Sequence, residues 1–408
     1  MLKVNQKHIA IIGGGAAGFF AAINCKINYP NYNVVIYEKS SKVLSKVKIS
    51  GGGRCNVANA TFSISELAKH YPRGQKPLKK VFSLFNTKHT IEWFEKRGVQ
   101  LITQEDRCIF PKSQSSQTII DCFLNECKRL DISIKQNYQL IGITKNTNSF
   151  ELQFKNLAPI YADKVIITIG GQPKIKSLQV IEKVGHTIIS PVPSLFTFNM
   201  PNESITNLMG IVVESVQVRI QSTKLIEEGS LLITHWGMSG PAILKLSAWG
   251  ARILEEKQYQ FKVQINWLKD FNFNGLTNKL LSEIDKFKNK KIHNQKLVRL
   301  PSRLWDFLLV KINLNVNKKW GELSKKEFHR LLNVLQNDVY QVSGKTTFKE
   351  EFVTCGGVSL NEVDFNTMQS KIVKGLYFAG EVLDVDGITG GFNFQNAWST
   401  AFVAAQLK

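Results

Sequence analysis

Near the amino terminus, in "IAIIGGGAAGFFAAI", Gly13, Gly15 and Gly18 have the GxGxxG spacing, and Glu38 follows 20 residues beyond Gly18. Each position has its own chemistry. The first glycine permits a tight turn, the second lets backbone approach a pyrophosphate, and the third lets a helix meet a sheet. Ala16, Ala17 and Gly18 open that helix, whose unpaired N–H groups and positive dipole end suit phosphate. Glu38, with Lys39 beside it, stands where a carboxylate accepts both hydroxyls of an adenosine ribose. Gly-rich turns occur in any α/β protein, but the glycines, the carboxylate and the strand–turn–helix–strand order together point to a dinucleotide.

Two further stretches carry candidate ligand groups. "KVKISGGGRCNVAN" places Lys48, Gly51, Gly53, Arg54, Cys55 and Asn56 in one segment, where free N–H groups and cations would meet a second phosphate or a ribitol. With three consecutive glycines it is expected to be a loop. Near the carboxy terminus, "GLYFAGEVLDVDGITGGFNFQNAWSTAFVAA" sets Glu381, Asp384 and Asp386 among glycines. Its strand ends at Gly380-Glu381, where the carboxylate would accept from a ribitol hydroxyl of FAD. Gly391, Phe392 and Asn393 open a final helix whose positive end would favour the anion of a reduced flavin. On this reading the acidic residues line a cofactor. His235, in "THWG", is the candidate catalytic proton donor, with Ser239 near it. A lone histidine is more often a satisfied structural group. Cys55 is read more readily as a small packed residue than as a proton donor.

The elements positioning these groups follow from periodicity. "DKVIITIGGQP" is an apolar run ending in Gly170-Gly171, expected as a buried strand of a parallel sheet with its glycine end toward the ligand. "ISIKQNYQLIGITK" and "FELQFKN" alternate as a β-meander. "TKHTIEWFEKRG" and "SSQTIIDCFLNECKRL" carry helical patterns around "EDRCIFP". Cys122 and Cys127 imitate the CxxxxC of disulfide reductases, but positions i and i+5 of a helix diverge by about 140°, so the pair is rejected. A Pro-marked change of composition near Ile189 begins an inserted part. Residues 190–267 and 338–352 are expected as a β domain, interrupted by a helix that Gly240-Pro241 opens. Residues 268–337 are expected as a small helical subdomain, and residues 1–189 with 353–408 as the dinucleotide domain.

With 408 residues and 43% apolar content the chain is globular and exceeds one ordinary core. Six cysteines without a CxxC suit a reducing compartment, and no zinc or other metal site is visible. The first apolar run, His8 to Cys25, is broken by glycines. Neither a signal peptide nor a membrane span is read, and a cytoplasmic monomer is expected. The net charge is +21, and it is uneven. Lys39 to Lys80 holds ten basic residues against Glu66, while the last 56 residues are slightly acidic. Such a field would attract a polyanion, although only 10 of the 53 cations are Arg, as A+T-rich codon usage would also give.

"IAIIGGGAAG", "SGGGRCN", "LITHWGMSGPAILKLS" and "GLYFAGEVLDVDGITGGFNFQNAWSTA" resemble the motifs of BaiN/YhiN-type flavoproteins, also described as aminoacetone-oxidase-like, along essentially the whole chain. The resemblance implies an α/β fold: a Rossmann-type, glutathione-reductase-like FAD-binding domain built from both chain ends, with an inserted β domain and a helical subdomain. It also implies an FAD-dependent oxidoreductase. Members are associated with reducing conjugated enones in steroids, oxidising amines, and reducing a uridine in ribosomal RNA. One departure is that Gly170-Gly171 runs into "QPKIKSLQVIEKVGH", where many relatives have a TGSTGDG-like segment. No second GxGxxG exists, so NAD(P)H as electron donor would dock transiently. Three readings stay open here: a reductase acting on a ribosomal RNA uridine or a small enone, an amine oxidase, and a non-enzymatic flavin-holding RNA-binding protein.

Overall fold

In a computed structural model, residues 6–346 and 353–408 are described. Residues 347–352 of the expected 338–352 segment lie outside them. The chain divides into two compact units, one running to Ser194 and resuming in the carboxy-terminal part, the other beginning at Leu195.

The first unit is built on parallel strands β1 (His8–Ile12), β2 (Asn33–Tyr37), β3 (Ser133–Lys135), β4 (Lys164–Ile167) and β5 (Leu376–Phe378). Their order in the sheet is β5-β4-β1-β2-β3, extended beyond β5 by the short antiparallel strands Gln369–Ser370 and Val363–Asp364. The central strands are apolar on both faces, as parallel strands covered on both sides must be. Both chain ends contribute. Helices α1 (Ala16–Asn28), α2 (Ser45–Gly53) and α3 (Phe392–Ala404) belong to this unit, and α1 joins the last helix through an aromatic cluster. In it the Phe20 ring lies 4.5 Å from Trp93 and 5.4 Å from Trp398. Trp398 Nε1 donates to the Val57 carbonyl at 2.9 Å, so its polar edge is satisfied as burial requires.

One expectation is corrected. Ser133–Lys135 does not begin a meander; it pairs in parallel with β2 at the edge of the main sheet. The meander is formed by Leu140–Lys145, Phe150–Phe154 and Ile160–Ala162. Three residues are too few for periodicity to distinguish the two arrangements.

The second unit is a seven-stranded antiparallel sheet whose long members are Val212–Ile220, Ile226–Thr234, Gln260–Asn266 and Asp338–Ser343. Helix Pro241–Glu256 starts with Pro at its first turn, after Gly240 at φ 95°. A Cβ at Gly240 would lie 2.8 Å from the Ser230 carbonyl oxygen, which is why glycine opens this helix. Helices Phe273–Lys286, Ser302–Lys311 and Lys325–Gln336 share one apolar core with the sheet, including Trp267, Trp305 and Trp320. Ser324 caps the last of them with Glu327 in a reciprocal capping box.

Candidate functional site

The glycine turn joins β1 to α1. Gly13, at φ 115°, donates its N–H to the Tyr37 carbonyl at 2.8 Å, and a Cβ there would lie 2.5 Å from the Thr168 carbonyl oxygen. At Gly18 a Cβ would fall 1.9 Å from the Gly13 oxygen, so this glycine is the point where helix and turn touch. Gly15 is different: a Cβ there meets nothing within 4 Å. The helix that follows has no side-chain cap, which leaves the first-turn N–H groups, including those of Ala16, Ala17 and Gly18, facing an open cradle. Glu38 braces the turn. Its Oε2 accepts from Gly14 N at 2.7 Å, and its Oε1 accepts from Ser40 N at 2.9 Å and Ser40 Oγ at 2.8 Å. The carboxylate is half-buried and keeps lone-pair capacity for further donors. Lys39 is exposed.

The second segment is not the loop expected. It opens as helix α2, whose Lys46 and Lys48 lie on a regular turn, and only then enters the glycines. Gly51, Gly52 and Gly53 have φ of 58°, 66° and 82°, a left-handed run that glycine alone takes freely. Lys48 Nζ donates to Gln117 Oε1 at 2.7 Å, and the Arg54 guanidinium lies 4.2 Å from the Phe110 ring. Arg54 therefore serves the protein as well as any ligand. The Cys55 thiol is buried and pushed up to about 12 by desolvation, which makes it a packed group and a poor proton donor. In the orientation its neighbours require, the Asn56 amide donates to the Ala58 carbonyl at 2.9 Å and accepts from Gly391 N at 3.2 Å.

A third set stands at the carboxyl ends of β4 and β5. Gly170 has φ 69° and open space beside it. Gly380 donates its N–H to Thr400 Oγ1 at 2.8 Å and approaches Ala17 so closely that a Cβ would be 3.0 Å from that side chain. Glu381 already has partners: Thr354 N donates to Oε1 at 3.1 Å and Lys46 Nζ pairs with Oε2 at 3.0 Å. Gly391 precedes α3 at φ 92°, with no side-chain cap. Phe392 is buried against His70, ring centroids 4.2 Å apart, and Asn393 ties down Gly387 by a reciprocal pair of bonds at 2.8 and 2.9 Å.

Close approaches join some of the predicted residues to one another or to their neighbours. Gly14 meets Glu38 and Leu44, Ala17 meets Gly380, Lys46 meets Glu381, and Asn56 meets Gly391. All of them belong to the first unit. His235 belongs to the second, exposed on the tight turn between Ile226–Thr234 and Gly237–Ser239, its ring against Trp236.

The two aspartates read as cofactor-lining are corrected. Asp386 is fully buried and held by Arg73 through two hydrogen bonds, with Ser194 Oγ donating to the same carboxylate. Asp384 Oδ1 accepts from Gly356 N at 2.7 Å. Both tie loops together, because a carboxylate satisfies several backbone and side-chain donors at once. Arg73, the residue that explains Asp386, had no signal in sequence beyond its charge. Another array imitates a hydrolase: His186 lies 2.8 Å from Ser370 Oγ and 3.1 Å from Glu362. Ser370 Oγ, however, accepts from Ile372 N and Val373 N at 3.0 and 2.8 Å, and the residue is buried, so this hydroxyl is a turn brace and not a nucleophile.

A parallel sheet from both chain ends, a glycine turn at its carboxyl edge and a carboxylate at the end of β2 define a Rossmann-type dinucleotide-binding fold. Residues 7–407 match the family of the HI0933-like protein Rossmann domain, and the chain belongs to it, among BaiN/YhiN-type FAD-dependent oxidoreductases. The ribosomal RNA dihydrouridine synthase of Escherichia coli is 29% identical over 97% of this chain and 96% of that protein. The 3-dehydro-bile acid delta(4,6)-reductase of Clostridium scindens is 26% identical over 98% of each. Two solved structures share the fold. The FrdA subunit of an E. coli quinol fumarate reductase has a TM-score of 0.52 at 14% identity, covering 98% of this chain and 69% of its own. A 3-ketosteroid delta1-dehydrogenase from Sterolibacterium denitrificans has 0.51 at 10% identity, covering 99% of both. Among the described residues no helix is long and apolar enough to cross a membrane.

Proposed function

We propose that this enzyme saturates a carbon–carbon double bond conjugated to a carbonyl, and that its substrate is a uridine of ribosomal RNA, converted to dihydrouridine. The likeness, along nearly the full length of both chains, to a protein named for that reaction carries the reading. The net charge of +21 supports it, because an RNA backbone rewards Lys and Arg and a steroid does not. The bile acid reductase favours a second reading, a small-molecule enone. The bond type is the same in both, since uracil C5=C6 is conjugated to a ring carbonyl.

FAD, when bound, supplies the hydride for such a reduction. The chain's own residues bind and orient. Gly13, Gly15 and the start of α1 take the pyrophosphate, Glu38 takes the adenosine ribose, and Gly51, Gly53, Asn56 and Gly170 line the continuation. The open space beside Gly15, Gly52, Gly53 and Gly170 fits a ligand that must approach backbone. The uncapped start of α3 offers N–H groups and a partial positive charge to an anion. NAD(P)H is the proposed electron donor, docking transiently. His235 is the proposed proton donor; its side chain is exposed.

The test combines purified FAD-loaded protein, NAD(P)H and ribosomal RNA from a strain lacking the gene, with nucleoside mass analysis. Dihydrouridine formed by the wild type and lost in His235→Gln, with flavin reduction by NAD(P)H retained, is the expected result. Absence of dihydrouridine together with turnover of a steroid dienone would establish the second reading. Normal dihydrouridine formation by His235→Gln would remove that residue's role.

A further inference from the structure

We propose that a polar cavity in the second unit is a subsite for one nucleotide of single-stranded RNA; this rests on the RNA-substrate reading and assigns it a binding site. The cavity has a volume of about 270 Å³, and its walls include Gln217, Arg219, Gln264, Asn266, Phe271 and Phe273. It lies just below the roughly 300–1,000 Å³ of drug-sized sites.

The pleat creates it. Val216, Val218, Ile220, Val263 and Ile265 point into the core, so Gln217, Arg219, Gln264 and Asn266 alternate onto the outer face. Register sets Gln217 opposite Asn266 and Arg219 opposite Gln264, which gathers three amides and one guanidinium in a single patch. No acid lines it. Glu228, across from Gln217 on the next strand, is engaged by Lys269 at 2.8 Å and by Gln217 Nε2 at 3.0 Å. Arg219 is exposed and has no ion pair among the described residues.

Two large apolar rings stay in solvent here. Phe271 is 36% exposed and Phe273 53%, on either side of Asn272. Each kind of group answers one part of a nucleotide. Exposed rings stack on a base, side-chain amides pair with its edge, and a guanidinium meets the phosphate. The walls are too polar for a steroid, and without a carboxylate they offer little to a cationic ligand.

The test is fluorescence anisotropy of a short fluorescein-labelled oligouridylate on the FAD-loaded protein at low salt. Phe273→Ala is expected to weaken binding about tenfold, the scale of one base stack removed, while Phe273→Tyr keeps it. Arg219→Ala is expected to flatten the log–log salt dependence by about 0.7, the share of one single-strand phosphate. Both side chains are exposed, and retained flavin absorbance confirms that the variants fold. Wild-type affinity in both Ala variants, or no binding by the wild type, would overturn the proposal. Uridine monophosphate competing as well as the oligomer would overturn it in favour of a free-nucleotide site. Dihydrouridine formation distinguishes the two readings: variants that bind normally while the wild type modifies RNA sink only the subsite. Binding that depends on Phe273 and Arg219 without dihydrouridine formation sinks only the substrate.

Discussion

Gly15 and Gly18 are three residues apart in one motif, yet the structure gives them opposite tasks. A side chain at Gly15 enters empty space, and this position has φ −95°, which any residue adopts. Gly15→Val is therefore expected to fold, with a stability change within about 1 kcal/mol, and to emerge colourless because its methyls occupy the place of the pyrophosphate. Gly18→Ala would bring a carbon to 1.9 Å from the Gly13 oxygen, so it is expected to lose fold and flavin together. Melting curves with and without added FAD separate the two; a destabilised Gly15→Val would show that the cradle is structural. Glu38 combines a structural bond to Gly14 N with its proposed role as ribose acceptor. With hydrogen bonds to a charged group at about 1.5–3 kcal/mol each, Glu38→Ala is expected to weaken FAD binding by at least tenfold, measured by titrating apoprotein. An unchanged FAD affinity would mean that no ribose bond is made.

Among the elements, the loop between β5 and α3 is anchored by the burial of Asp386. Burial raises its carboxyl to about 6, with Arg73 and Ser194 opposing the rise. A carboxyl whose folded value lies above its unfolded one keeps its proton longer in the native state. Its contribution is therefore fully present below pH about 3.8 and is lost as pH rises through about 6. Asp386→Asn, which resembles the protonated carboxyl in shape and charge, removes that slope. The stability of the wild type relative to the variant is expected to fall from pH 4 to pH 6. Urea melts at three pH values check this, and a pH-independent difference would assign the titration elsewhere. Sequence made some of this element legible and hid the rest. Strand, glycine turn, helix and Glu38 were readable because each is local, within a span of about thirty residues. The partners of Asp386 were not, because Arg73 lies over three hundred residues away and a charge carries no address. The same limit explains α2, where a helical turn short of one heptad preceded glycines that dominated the reading, and Ser133–Lys135, whose partner strand is distant in sequence.

At the scale of the whole molecule, Pro191 and Pro193 stand shortly before Leu195, where the second compact unit begins. Within that unit the apolar faces of the helices after Leu268 share one core with the sheet. Charge is the whole-molecule property that bears on the substrate. Lys288, Lys290 and Lys291 follow the end of Phe273–Lys286 in an exposed segment. Free of ion pairs among the described residues, they contribute little to folding, so Ala replacements are expected to leave FAD retention and melting unchanged. If they meet RNA, replacing all three is expected to lower the log–log salt slope of ribosomal RNA binding by about 0.7 for each phosphate left without its cation, about 2 in total. Filter binding across a salt series measures this directly. A slope equal to that of the wild type would return these lysines to a solvated surface, and weaker affinity without a change of slope would show that they shape the segment instead of meeting phosphate.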